Sequence, residues 1–155
     1  MTYVIRGLDP APFRELRGLS DAELAERNIV RRRADSKPGF PCRVTLEDAE
    51  PGETLLLLNY EDHAVATPYR NAYAIYVRED AEAASELHDE LPQVFANRPI
   101  ALRAFDSEGM LQTATLALQG DADARIRDLF AMPGIAYINA HNAAHGCFAA
   151  RIDRA

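Results

Sequence analysis

Basic residues are in short supply: 17 Lys and Arg against 24 Asp and Glu give a formal net charge of -7. Affinity for nucleic acid comes largely from neutralising phosphates, and no basic tail or basic helical face is there to do it. The one basic run, Arg31-Arg32-Arg33, falls in a candidate strand, where successive side chains alternate faces and cannot form one patch. Long apolar runs are also missing. Nothing approaches the roughly 20 residues of a membrane span, and the opening MTYVIRGLDP lacks the apolar core of a signal peptide. Neither a nucleic acid nor a membrane is therefore an expected partner. Two Cys residues make no disulfide framework, so free thiols in a cytoplasmic protein are the expectation. There is no internal repeat, low-complexity segment or linker. The 155 residues are read as one domain, 1–155, long enough to bury a core.

The clearest pattern that is present lies at the end, from Ile135 to Arg154. Ala136, Ile138 and Ala140 alternate with Tyr137, Asn139 and His141. Beyond a Gly-containing loop, Phe148, Ala150 and Ile152 alternate with Cys147, Ala149 and Arg151. Period two on both sides of a short polar loop predicts a β-hairpin. A five-residue loop, Asn142 to Gly146, pairs His141 with Cys147, Asn139 with Ala149 and Tyr137 with Arg151. One face is then apolar and wants a core. The other carries Tyr137, Asn139, His141, Cys147 and Arg151, and must meet water, a partner or a ligand.

Earlier segments read as short elements. Strands are expected at Tyr3 to Leu8, Ile29 to Ala34, Arg43 to Leu46, Glu53 to Tyr60, Ala72 to Arg78, Ile100 to Phe105 and Met110 to Leu118. Four consecutive leucines, Leu55 to Leu58, predict a strand covered on both faces. Asp9-Pro10 opens a short helix, Ser20-Asp21-Ala22-Glu23 is a capping box, Pro92 to Asn97 is a helical turn or two, and Asp121 caps a helix reaching Phe130. The acidic stretch Glu79 to Glu90 is a solvated helix or a loop. The expected fold is α+β: a largely antiparallel or mixed sheet of six to eight strands with three or four short helices packed on it.

The pieces KPGFPCRVTLEDAEPGE, LLLNY, TPYR and AHNAAHGCFAARI, in this order and spacing, resemble an uncharacterised bacterial family catalogued as domain of unknown function 1203. The resemblance covers nearly the whole chain. It implies a small bacterial cytosolic domain and carries no activity, cofactor or site residue with it.

Three constellations compete for the chemistry, all at strand ends or in loops beside them. Arg43 and Arg70 would form a bidentate fork for a small anion, with Tyr69 as hydroxyl donor and Asn142 and Arg151 contributed by the hairpin. Against this, the arginines would simply pair with Glu47, Asp48 or Glu61. His141 opposite Cys147 would make a thiol–imidazole pair, the activated nucleophile of many enzymes, although buried Cys commonly behaves as a small inert hydrophobe. Cys42, His141, His145 and Cys147 would supply two nitrogens and two sulfurs for tetrahedral zinc, without the usual paired Cys spacing. The leading expectation is a pocket for a small anionic molecule, with Cys42-Arg43 and Tyr69-Arg70 forming the wall opposite the hairpin. Whether it catalyses a reaction stays open. The other readings are a homodimeric interaction module joined through an open sheet edge and a zinc-binding domain. His63 and His88 are expected to be exposed.

Overall fold

A computed structural model describes all residues, Met1–Ala155. The fold is α+β, with two antiparallel sheets. The larger sheet contains β1 (Tyr3–Arg6), β5 (Glu86–His88), β6 (Ile100–Phe105), β7 (Leu111–Ala117), β8 (Tyr137–Asn142) and β9 (Phe148–Arg154), in the order β5-β1-β9-β8-β6-β7. The smaller one is β2 (Val30–Arg33), β3 (Thr54–His63) and β4 (Asn71–Arg78), with β3 in the centre. Two short α-helices, α1 (Asp21–Ala25) and α2 (Ala122–Ala131), and two 3₁₀ turns, Ala11–Leu16 and Gln93–Phe95, complete it. The Ser20–Glu23 capping box forms in both directions. No helix is long and apolar enough to cross a membrane.

The larger sheet packs one face on α2. Tyr3, Ile5, Leu102, Ala104, Ile138, Ala140 and Ile152 meet Ile126, Leu129 and Phe130 there. A second core gathers Leu56, Leu58, Ile75 and Val77 of the small sheet with Phe148, Cys42, Val44 and Leu24. All six residues of β8 are consequently buried. Ile138 and Ala140 face α2, while Tyr137 and His141 reach toward His63 and Asp62 on β3. The polar face of β8 is thus covered by the chain's own small sheet, while Arg151 on β9 stays exposed.

Two bulges decide what faces that interior. In the hairpin, Ala140 pairs with Ala150 but His141 pairs with Phe148, so Ala149 is an extra residue. This corrects the expected register. Asn139 lies opposite Arg151 and Tyr137 opposite Asp153, the loop is residues 143–147, and Phe148 turns into the second core instead of lining up with Ala150 and Ile152. In β3, Glu61 pairs with Ala72 and His63 with Asn71, leaving Asp62 as the extra residue. Both Asp62 and His63 then point inward: the Asp62 side chain is 1% exposed and His63 is buried, not exposed as expected.

Arg43 to Leu46 is a tight turn rather than a strand. The amide of Leu46 donates to the Cys42 carbonyl, and that of Cys42 to Glu47. It joins no strand ladder: isolated bridges, Pro41 to Asp48 and Cys42 to Tyr76, and single backbone bonds from the amides of Leu8 to Arg43 and of Ser85 to Val44 tie it to its neighbours. Gly7 clamps the turn from the other side, because any Cβ there would sit 1.9 Å from the Val44 carbonyl oxygen. One strand that the sequence pattern does not reveal, β5, arises within the acidic stretch as a three-residue edge, too short to show an alternation.

Candidate functional site

β8 and the hairpin loop after it form a wall between two clefts. The first cleft, about 390 Å³, is lined by Gly39, Pro41, Arg43, Arg98, Asn142, His145, Cys147 and residues of β3 and β4 including Tyr73 and Tyr76. Arg43 is its defining group. The side chain leaves the tight turn and runs beneath the hairpin loop. Its Nε donates to the Phe148 carbonyl at 2.7 Å, one terminal nitrogen to the Pro41 carbonyl, and the other to Cys147 Sγ at 3.0 Å. The residue is 3% exposed, yet no carboxylate pairs with it. Burial, with Arg98 nearby, pulls its pKa below the ordinary value, but a guanidinium stays charged throughout the ordinary pH range. The neighbouring Arg98 differs: it forks onto the buried Asp48 carboxylate at 2.6 and 2.9 Å, which holds Asp48 below the usual carboxylate range against the opposing effect of its burial. Cys147 Sγ also receives the Asn142 amide at 3.5 Å.

The second cleft, about 310 Å³, lies across β8 and is lined by Asp62, His63, Tyr69, Arg70, Asn71, Arg103, Phe105, Asn139 and His141 among others. The β3 bulge supplies Asp62 and His63. His63 Nδ1 donates to the Tyr69 carbonyl, and Nε2 accepts from the Tyr137 hydroxyl at 2.6 Å. His141 Nδ1 donates to the Gly146 carbonyl at 3.0 Å, which leaves Nε2 facing Asp62 Oδ2 at 3.7 Å. Burial lowers His141 to about 4, and the nearby charge of Arg103 pushes the same way. Burial raises Asp62, whose Oδ1 accepts from the Asn71 amide at 2.7 Å. Asp62 Oδ2 and Asn139 Oδ1 are buried without a hydrogen-bond partner.

This geometry separates residues that the sequence reading placed together. Arg43, Asn142, His145 and Cys147 line the first cleft, whereas Tyr69, Arg70 and His141 line the second. Arg43 and Arg70 therefore form no common fork. Arg70 pairs with Glu61 through two bonds, at 2.8 and 3.0 Å, and is largely exposed. Arg151 stands outside both clefts, paired with Asp153 and stacked 3.9 Å above the Tyr137 ring. The expected His141–Cys147 pair is not made: the bulge sets His141 against Phe148, and the thiol meets Arg43 instead. The four-residue zinc set is not gathered either, since no three His, Cys, Asp or Glu side chains converge as metal ligands. Cys42 lies in the second core, with its sulfur accepting from the amides of Thr45 and Arg78. Both cysteines are free. Sequence reasoning missed Asp62, Arg98 and Arg103. Asp62 and His63 stand together just after the leucine strand, but only the bulge turns both inward.

The chain belongs to a protein family of unknown function, DUF1203, which matches residues 39–154. That span includes every residue of both clefts named above. No curated protein and no solved structure matches the chain.

Proposed function

We propose that the chain binds a small anionic molecule in the first cleft, with Arg43 as the principal recognition group and Asn142, His145 and Cys147 around it. One observation carries this reading. Arg43 is a nearly fully buried cation with no carboxylate partner, and it lines an open cleft. An isolated buried charge costs several kcal/mol unless it is compensated, and two carbonyls and a thiol compensate it only in part. Each terminal nitrogen of the guanidinium makes one hydrogen bond and can donate two. An anion in the cleft would take up the remaining N–H groups and neutralise the charge, a role suited to the planar fork. Asp48 already neutralises Arg98, so the positive charge available to a ligand is that of Arg43.

Calorimetric titration with inorganic phosphate at constant ionic strength tests this. Saturable one-to-one binding is expected. Arg43→Lys keeps the charge but loses the fork and should weaken binding by about tenfold, and His145→Ala, an exposed position, should weaken it without affecting the fold. If phosphate and acetate both fail to bind, or if both variants bind as the unsubstituted protein does, the reading is wrong.

A further inference from the structure

The second cleft contains an unusual surplus of hydrogen-bond acceptors. Asp62 Oδ2 and Asn139 Oδ1 are buried with nothing donating to them, and both residues line the cleft. His141 adds a third acceptor. Its Nδ1 must carry the proton, because the Gly146 carbonyl can only accept, so Nε2 presents a lone pair toward Asp62. Two acceptors facing each other at 3.7 Å do not stabilise one another; they call for a donor placed between them. A primary ammonium carries three N–H groups, the number of acceptors waiting here.

The same cleft also holds a free cation. Arg103 projects from β6 and lines it, and its charge acts on both Asp62 and His141. It nevertheless belongs to no ion pair, whereas Arg70 at the rim is already matched by Glu61. Asp62 and Arg103 are thus opposite charges held in one cleft beyond ion-pair distance. A ligand that fits has a positive donor at one end and a negative acceptor at the other. The volume, about 310 Å³, is at the small end of the range for ligand sites.

We propose that this cleft is a binding site for a small zwitterion of the α-amino-acid class, its ammonium held by Asp62, Asn139 and His141 and its carboxylate by Arg103. The Phe105 ring, packed 4.2 Å from His63, and the Tyr69 side chain form the apolar border along which the ligand's side chain lies. The Tyr137 hydroxyl and the Tyr69 carbonyl fix the His63 ring between them, so the border is built in advance of binding. This site does not rest on the anion reading of the first cleft, and either can fail without the other.

The test is calorimetry on the full chain with the common L-α-amino acids, one at a time, at about 1 mM and above. At least one should bind saturably, while propionate (no ammonium) and ethanolamine (no carboxylate) should bind at least about tenfold more weakly. Asp62→Asn and Arg103→Met should each weaken the amino acid by at least about tenfold. Arg103 is half-buried at the cleft surface, so if Asp62→Asn fails to fold, Arg103→Met decides alone. Three results would overturn the proposal: no amino acid gives a binding heat, as expected if the acceptors are merely hydrated; propionate or ethanolamine binds as well as the amino acid; or Arg103→Met leaves binding unchanged.

Discussion

Burial, with the charges of Arg103 and Arg43 nearby, holds His141 at about 4, below its ordinary value of 6.5. The unfolded chain therefore binds a proton that the folded chain refuses between those two values. The sign follows directly: this histidine's contribution to stability is full above about pH 6.5 and is lost as the pH falls toward 4, by up to roughly 3 kcal/mol. Asp62 works the other way. Its pKa is raised, so the cost of ionising it inside the fold is relieved on acidification. Urea denaturation from about pH 7 down to about pH 4.5 should show stability falling, and His141→Gln should flatten that slope. An equal slope in the variant would mean that His141 is not the group responsible. Little of this was visible in the sequence. His141 was legible as a member of the hairpin's polar face from its period-two neighbours, but its burial was not. Its partner Asp62 was not, because the bulge that turns Asp62 inward leaves no mark in the residue pattern.

At the scale of elements, the hairpin and the Arg43 turn were legible to different degrees. The two faces of β8 follow from strict alternation of Ile138 and Ala140 with Tyr137, Asn139 and His141, and the structure keeps them. The register of β9 does not follow, because the bulge falls at Ala149 next to Ala150. Two adjacent alanines look alike to any polarity pattern, so the sequence offers no means of choosing which one is extra. That one residue moves Phe148 to the other core and takes Cys147 away from His141. The Arg43 turn was mistaken for a strand because Val44 and Leu46 alternate, although both are buried inside a turn. Its geometry depends on Gly7, the only residue type that fits against the Val44 carbonyl. Gly7→Ala must push the turn away and should destabilise the protein by about 2 kcal/mol in chemical denaturation, with phosphate affinity falling as Arg43 shifts. Wild-type stability and affinity in this variant would show that the clamp does not position the turn.

At the scale of the whole molecule, the central fact is that β8 is buried on both faces between α2 and the small sheet. The α+β class and most strands were legible from hydrophobic periodicity. The arrangement into two sheets was not, because nothing local records that β3 comes to lie over β8. That arrangement puts Arg43 and Cys147 on one side of the hairpin wall and Asp62, Asn139 and His141 on the other, so a single expected pocket becomes two clefts of different chemistry. One cleft holds a buried cation with no carboxylate partner, and the other holds unpartnered acceptors beside an unpaired arginine. The most direct measurement is an amide and side-chain NMR titration of the full chain with inorganic phosphate at constant ionic strength. Saturable shifts should appear at the Arg43 Nε–H, the Asn142 amide and the backbone of His145 and Cys147, while Asp62, His63 and Asn139 stay in place. Unsaturating shifts spread over the surface, or shifts centred on Asp62 and Asn139, would contradict the assignment of the anion to the Arg43 cleft.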